Sequence, residues 1–302
     1  MASEKVKEKT TEKAEEKVKY RLQGHEKFVL REGWLNKGLL VVDYQPTVFL
    51  DKNAPDIFGI GNNMVKSLRY WLKAFGLIEA NGNAGAKLTD TAKIIKQHDL
   101  YFEDVFTLWV LHSHLVKNKE DATTWFLFFN RCDIEDLDRA QINAVVGREL
   151  IKHLNSSGFP EKSLGSDIDV LLSMYGKAKE MTDPEDKNIS PFSQLELIKT
   201  ADNTYSKVIP DRRIINEWNV LYELAFWLQD TNSVSIEKIS YGENSISAIY
   251  QINSVVINEY LDRLDALGYI RVDRTAGLDM IYKKDVSFFT PEQVMSEYYK
   301  HK

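Results

Sequence analysis

Residues 59–90 restrict the fold of this chain more than any other stretch, because the hydrophobic pattern there changes from helical to extended. With an advance of about 100° per residue, one side of residues 62–75 is apolar. That side carries Met64, Val65, Leu68, Trp71, Leu72 and Phe75. Gly76 then precedes a short strand, a Gly/Asn-rich tip and a second strand ending at Leu88-Thr89, where Thr89 can cap the next helix. This order predicts the second half of a winged helix-turn-helix.

A separate narrow arc of the same helix carries amide and basic side chains. Such a stripe beside a buried face can lie on a phosphate backbone or in a DNA groove. We therefore predict that the helix and its wing bind DNA. The candidate contacts are Asn62, Asn63, Lys66, Ser67, Arg69, Lys73 and Lys87. The alternative interpretation is a solvated helix face, because charged residues of any surface helix must point outwards.

The distribution of charge supports the nucleic-acid interpretation, although the whole chain has a formal net charge of −6. Residues 20–100 carry eleven basic and eight acidic side chains, a net charge of +3. Residues 101–187 carry a net charge of −6 and residues 188–302 a net charge of −4. The basic segment is the one that contains the candidate recognition helix, so the remainder is expected to face protein or solvent.

The length of 302 residues suggests two or three domains. The order of helices and short strands along the chain predicts a mainly α protein with small β wings. A single cysteine, Cys132, excludes an intramolecular disulfide. The N-terminus has no apolar signal-peptide core, and the apolar runs are too short to span a bilayer. These features favour a cytoplasmic protein that does not contact membranes.

The chain divides into two winged-helix-like units flanking a helical middle. We expect a charged disordered tail (1–19), a winged-helix DNA-binding domain (20–100), a helical middle domain (101–182), a linker (183–191) and a C-terminal winged-helix-like domain (192–302). Residues 43–56 are expected to form an irregular connection. The predicted helices of the middle domain cover residues 103–116, 122–130, 138–154 and 166–175, the last capped by Ser166 with Asp169. The C-terminal domain is expected to contain helices at 211–228 and 252–267.

The C-terminal domain repeats the order of helix, glycine, strand, wing and strand, with Gly268 at the position of Gly76. The outer face of its last predicted helix is acidic, in contrast to the basic first unit. It carries Asn258, Glu259, Asp262 and Asp265. An acidic face repels phosphate, so we predict a protein-contact or dimerisation module. Arg271 and Arg274 on the wing leave a DNA-binding role open.

Chemical motifs are scarce in this sequence. It contains no phosphate loop, no HExxH zinc motif and no HxE with CxxC. The best candidate catalytic cluster is His25, Glu26, Arg31 and Lys37, which combines acid, base and cationic groups. In the alternative interpretation, Arg31 and Lys37 contact backbone phosphates and His25 packs or caps a helix.

Two histidines two positions apart in TLWVLHSHL suggest a metal pair at first sight. On a helix, however, His112 and His114 point in nearly opposite directions, so a shared metal ion is not expected. Asp167 and Asp169 have the same spacing and are better explained by capping. The metal ligands, if there are any, remain unknown from the sequence.

Three long motifs together resemble one protein family. They are His25-Glu26-x-Phe28-x-x-Arg31-x-x-Trp34-Leu35-x-Lys37, the 59–71 segment GIGNNMVKSLRYW, and Asp99-x-Tyr101-x-Glu103 followed by Thr107-Leu108-Trp109-x-Leu111-His112. The chain is similar over residues 20–300 to an uncharacterised-domain family whose members accompany bacterial DNA phosphorothioation genes. The resemblance is densest in residues 25–115.

The resemblance implies a component that nicks DNA during single-strand sulfur modification for phage defence. It implies a cysteine desulfurase, an ATP-dependent sulfurtransferase and an ATPase as partners, besides DNA. The acidic face of the C-terminal unit separately leaves a homo-oligomer open. Nicking would call for a divalent metal such as Mg²⁺ or a covalent nucleophile. Two alternatives remain: a non-catalytic adaptor that recruits the sulfur-transfer enzymes, and a transcriptional regulator.

Overall fold

The computed structural model describes residues 18–156, 158–176, 190–277, 279–284 and 290–302. It shows a mainly α protein with small antiparallel sheets, which confirms the predicted fold class. Residues 1–17 of the predicted tail and 183–189 of the predicted linker lie outside the described residues. Within the described ranges, no helix combines the length and apolar character needed to cross a bilayer.

The N-terminal elements follow the predicted order. They are α1 (Trp34–Tyr44), α2 (Ala54–Phe58), α3 (Asn62–Ala74), β1 (Ile78–Ala80), β2 (Ala86–Leu88) and α4 (Asp90–His98). The two strands pair antiparallel, with Ile78 opposite Leu88. Residues 43–56 are less irregular than predicted, because they contain a 3₁₀ turn at Val48–Leu50 and the start of α2.

Local chemistry explains why α3 and α4 begin and end where they do. Gly76 ends the α3 region in the left-handed conformation, at φ +65°. There its N–H donates to the carbonyl of Lys73 and that of Leu77 donates to Leu72. Thr89 caps α4 by accepting the N–H of Ala92, as predicted.

The middle of the chain is helical, with one short strand. It contains α5 (Val105–Lys117), α6 (Thr123–Arg131), β3 (Leu137–Asp138), α7 (Arg139–Leu154) and α8 (Glu161–Tyr175). The predicted cap at Ser166 is wrong, because α8 starts five residues earlier at Glu161, with Pro160 at its N-cap. Asp169 pairs instead with Arg139, at 2.7 Å between Oδ1 and Nε.

The C-terminal part contributes five strands and five α-helices among its described residues. The elements are β4 (Ile198–Ala201), β5 (Thr204–Lys207), α9 (Glu217–Leu228), β6 (Ser233–Ser235), α10 (Ile236–Ser240), α11 (Ile246–Tyr250), α12 (Ser254–Leu267), β7 (Ile270–Asp273), β8 (Met280–Lys283) and α13 (Pro291–His301). The strand orders are β3-β5-β4 and β6-β8-β7, all antiparallel. The predicted helix 211–228 starts late, at Glu217, because Asn216 forms a capping box with Asn219.

Contacts across the chain join these parts. Strand β3 of the middle pairs with β5 beyond the predicted linker. Helix α13 packs against both α4 and α9. At its end, Lys302 donates to Asp104 at 2.7 Å, and the Tyr299 ring stacks on His98 at 5.0 Å between centroids. The C-terminal helix therefore holds the first and last units together.

Candidate nucleic-acid interface

Helix α3 buries its apolar side and presents a basic side to solvent. Val65, Leu68, Trp71 and Leu72 are buried, as their common arc predicts. The predicted contacts Asn62, Asn63, Lys66, Arg69, Lys73 and Lys87 are all exposed. Ser67 differs from them, because it is fully buried and its hydroxyl has no hydrogen-bond partner among the described residues.

A groove of about 370 Å³ runs between α3, the β1-β2 hairpin and the irregular segment 21–26. Its lining combines four cations with two carboxylates, on a floor formed partly by a buried tyrosine. The residues are Arg21, Gly24, Glu26, Lys66, Arg69, Tyr70, Lys73, Ile78, Glu79, Ala80, Gly85 and Ala86. We call this cavity the basic groove. It is the place where the predicted α3 cations meet side chains from elsewhere in the chain.

The cations around the basic groove differ in how far they are already neutralised. Lys73 lies 3.0 Å from the carboxylate of Asp121, and Arg21 lies 3.7 Å from the same oxygen. Lys87 pairs with Glu79 at 2.9 Å, which raises the pKa of the lysine through the hydrogen bond and the opposite charge. These lysines would have to leave a carboxylate before they could bind an external phosphate.

Lys66 and Arg69 are in a different situation. Lys66 donates a long 3.3 Å hydrogen bond to the amide oxygen of Asn63. The Arg69 guanidinium lies 5.9 Å from the ring centroid of Phe49. Neither forms an ion pair with a carboxylate of the described chain, so these two cations are the most available to an anionic ligand.

The structure does not bring His25, Glu26, Arg31 and Lys37 to one point. Glu26 lines the basic groove, while Arg31 lines a second cavity of about 260 Å³ together with Tyr101 and Ser190. Lys37 donates to the carbonyl of Phe58 at 2.9 Å. His25 is fully buried, with its Nε2 2.8 Å from the carboxylate of Asp167.

His112 is buried, His114 is half-buried, and the two have separate partners. His112 lies between the hydroxyl of Tyr175, 2.7 Å from Nδ1, and the carbonyl of Ile249, 2.8 Å from Nε2. The Nε2 of His114 lies 2.7 Å from the hydroxyl of Tyr222. Burial lowers the pKa of each imidazole to about 3, so both are neutral packing groups at pH 7.

The buried cysteine and the carboxylates of the described residues do not form a metal site. Burial raises the pKa of the Cys132 thiol to about 12, which disfavours the thiolate that would bind a metal. Across the described ranges, no three His, Cys, Asp or Glu side chains lie close enough together to hold a metal ion. The ligands of a divalent metal are therefore not assigned.

The four residues of the predicted protein-contact face already have partners within the chain. Arg212 pairs with Glu259 at 2.6 Å. Arg274 donates to Asp262 at 2.7 Å and to the amide oxygen of Asn258 at 2.9 Å. The carboxylate of Asp265 accepts the N–H of Val272 at 3.2 Å. The face is consequently less acidic than the helix sequence alone indicates.

Sequence reasoning missed three residues that shape the basic groove. Arg21 lies at the start of the predicted winged-helix domain but was not among its predicted contacts, Tyr70 belongs to the buried side of α3, and Asp121 lies in the loop between α5 and α6. The positive net charge of residues 20–100 was a signal for Arg21. No local pattern pointed to Asp121, which is 48 residues from the lysine that it binds.

The fold and the groove define a mainly α protein in which one helix and its hairpin carry an accessible basic surface. A family model described as "Protein of unknown function (DUF4007)" matches residues 22–299. The chain belongs to this family, which agrees with the family resemblance of its sequence motifs. A comparison with curated proteins finds no match.

Two solved structures have the same fold. The "SspB crystal structure" superposes with a TM-score of 0.82 at 23% identity, covering 92% of this chain and 88% of that one. The "Magnesium ion-bound SspB crystal structure" gives a TM-score of 0.81 at 24% identity, with the same coverage. At these identities the likeness establishes a shared architecture over nearly the whole chain.

Proposed function

We propose that this protein binds DNA through the basic groove, as the DNA-binding component of a phosphorothioate modification system. The observation that carries the proposal is the position of Lys66 and Arg69. Both are exposed on α3 at the basic groove, and neither is neutralised by a carboxylate of the described chain. Cations placed in this way neutralise phosphates and release counterions, which supplies most of the affinity of DNA-binding proteins.

The amides at the start of α3 suit a groove-binding helix. Asn62 and Asn63 occupy its first turn, where helix N–H groups are also free to bind phosphate. Asn side chains can read adenine in the major groove, while lysine and arginine fix the register on the backbone. The second unit repeats the helix and hairpin order at α12, β7 and β8, which is the order of a winged-helix-like unit.

The assignment to sulfur modification rests on the family motifs and on the fold shared with two SspB structures. Replacing a phosphate oxygen by sulfur requires access to one phosphodiester of one strand. A protein that holds the duplex and presents that strand would serve a cysteine desulfurase, an ATP-dependent sulfurtransferase and an ATPase. We propose that Asn258, Glu259, Asp262 and Asp265 lie in the face that meets these partners or a second copy.

For strand nicking, we propose Glu26 as the group that orients water or a divalent metal at the scissile phosphate. It is the one member of the sequence-predicted catalytic cluster that lines the basic groove, beside three lysine or arginine side chains of α3. Arg31 and Lys37 would contact flanking phosphates. One of the two neighbours is a magnesium-bound structure, which makes Mg²⁺ the first metal to test.

A non-catalytic adaptor is the second candidate function. It is favoured by the placement of the predicted cluster, since His25 is buried and Arg31 lines another cavity. An adaptor would bind DNA and co-purify with the sulfurtransferase without cutting.

Relaxation of supercoiled plasmid by the pure protein, with and without Mg²⁺ or Mn²⁺, separates the two candidates. Metal-dependent relaxation that falls about a hundredfold in Glu26→Gln, with unchanged DNA affinity, would support nicking by Glu26. Tight binding without relaxation in any metal would support the adaptor. A protein that binds no DNA at low salt would contradict both.

A further inference from the structure

The segment formed by residues 21–27 lines the basic groove without regular secondary structure. Arg21 and Glu26 face the groove from this segment. Three of its non-glycine residues have left-handed backbones: Gln23 at φ +56°, Glu26 at φ +50° and Lys27 at φ +66°. Such conformations are unfavourable for L-residues and persist where surrounding contacts hold them. The contacts that hold this segment therefore determine where Arg21 and Glu26 point.

One buried carboxylate supplies two of those contacts, and the N–H of Arg21 donates separately to the hydroxyl of Thr123 at 3.1 Å. Asp167 of α8, 1% exposed, accepts the N–H of Gln23 at 2.7 Å and Nε2–H of His25 at 2.8 Å. Its other oxygen accepts the hydroxyl of Thr124 of α6 at 2.6 Å. A buried carboxylate with three donors is well compensated for the water it has lost. Two of these donors belong to the groove segment.

The imidazole of His25 connects that carboxylate to the strained turn. The N–H of Lys27 donates to Nδ1 at 3.1 Å, so the ring proton is on Nε2 and points to Asp167. The ring lies between aromatic side chains, stacked on Trp71 with 6.0 Å between centroids and edge-on to Trp125 at 5.8 Å. It is fully enclosed and has no path to a ligand in the groove.

We propose that the buried His25–Asp167 pair is a positioning device that holds residues 21–27 so that Arg21 and Glu26 face DNA. The proposal rests on the proposed function, because it takes DNA as the occupant of the basic groove. In this role His25 acts through the backbone turn and does not touch the nucleic acid. Gly24 contributes to the same arrangement, since a Cβ there would lie 2.5 Å from the Tyr70 ring.

A second buried histidine provides a matched control. His112 is also fully buried, and both of its ring nitrogens lie within hydrogen-bond distance of a partner. Its partners, Tyr175 and Ile249, are absent from the lining of the basic groove. His112→Ala therefore also removes an imidazole and its two hydrogen bonds, but at a position away from the groove segment. A general loss of stability should be similar in His25→Ala and His112→Ala.

Hydrogen exchange at the amides of Gln23 and Lys27 measures directly how firmly residues 21–27 are held. In the full chain, His25→Ala should raise the hydrogen exchange rate of both amides about tenfold or more relative to the rest of the protein. His112→Ala should leave them unchanged. His25→Gln should restore most of the protection at Gln23, because its amide can donate to Asp167 from near the position of Nε2, but not at Lys27, because glutamine has no acceptor at the position of Nδ1. If His25→Ala does not fold, Asp167→Asn gives the same comparison, since it weakens the acceptor with little change of shape.

DNA binding supplies the second measurement. Loss of the Arg21 contact in His25→Ala should weaken binding about fivefold near 0.15 M salt and lower the salt slope by about 0.9. Unchanged exchange at Gln23 and Lys27 in His25→Ala, or equal acceleration in His112→Ala, would overturn the positioning role. If the amides respond as expected but the wild-type protein binds no DNA, the proposed function fails and the role of His25 in holding the segment remains.

Discussion

Neutralising the two unpaired cations of α3 should reduce DNA affinity by an amount that can be worked out. Lys66→Gln with Arg69→Gln removes two phosphate contacts, and each contact contributes about 0.9 to the slope of log K against log salt. The slope should fall by about 1.8, which corresponds to about 30-fold weaker binding near 0.15 M salt and about 200-fold near 0.05 M. Charge reversal to Glu at both positions should weaken binding further.

Fluorescence anisotropy with a labelled duplex at several salt concentrations measures both quantities. The matched control is Lys52→Gln with Lys93→Gln, which removes the same net charge from exposed positions outside the basic groove. Its slope should stay within about 0.3 of the wild-type value, because distant charges act through a screened field rather than through contact. Equal losses in the two double variants would mean that net charge alone attracts DNA. An unchanged slope in folded Lys66→Gln with Arg69→Gln would remove α3 from the interface.

Three further predictions concern stability and assembly. Gly85→Ala should lower the unfolding free energy by about 2 kcal/mol or more, because its φ is +91° and a Cβ would lie 2.2 Å from the carbonyl oxygen of Pro46. Gly82→Ala in the same hairpin has open space and a φ of +54°, so denaturant midpoints should show a much smaller loss. The depressed pKa of about 3 at His112 and His114 means that unfolding takes up protons below about pH 6.5, so stability is present above that pH and lost as pH falls towards 3. Urea unfolding at pH 7, 6 and 5 should show the loss, and a double Gln variant that keeps the wild-type pH dependence would contradict it. Asp262→Lys should weaken self-association or partner capture and leave DNA affinity equal or higher, as measured by sedimentation and anisotropy; loss of DNA binding with intact assembly would reverse the roles of the two units.

The features that could be predicted from sequence depend on neighbours a few residues apart. The buried arc of α3, the Gly76 stop and the Thr89 cap follow from helical periodicity, backbone freedom and one side-chain hydrogen bond. The helix-hairpin repeat around Gly268 was visible for the same reason. Where a capping signal was misinterpreted, as at Ser166, the helix continued through it, because α8 buries apolar residues on both sides of that position.

The candidate site required the tertiary structure, because its contacts join distant parts of the chain. His25 and Asp167 are 142 residues apart, and no local pattern shows that one forms a hydrogen bond with the other. The same holds for Lys73 with Asp121 and for Arg212 with Glu259, which decide how much charge each surface presents. The helical wheel predicts that only the apolar arc of α3 is buried. In the structure, Tyr70 and Ser67, which lie outside that arc, are buried as well, and Gly24 packs against the Tyr70 ring.

The sequence by itself determined the order of α3, its hairpin and α4, the Gly76 stop, the Thr89 cap and the sign of charge on the first unit, since periodicity and composition are properties of short stretches. The tertiary structure decided which charges remain unpaired, which histidine is enclosed and which carboxylate faces the basic groove. The physical reason is that hydrogen bonds and ion pairs are made over distances of about 3 Å in space. Packing brings together groups that lie far apart along the chain. The folded structure is therefore needed to tell which charged side chains at a site are unpaired.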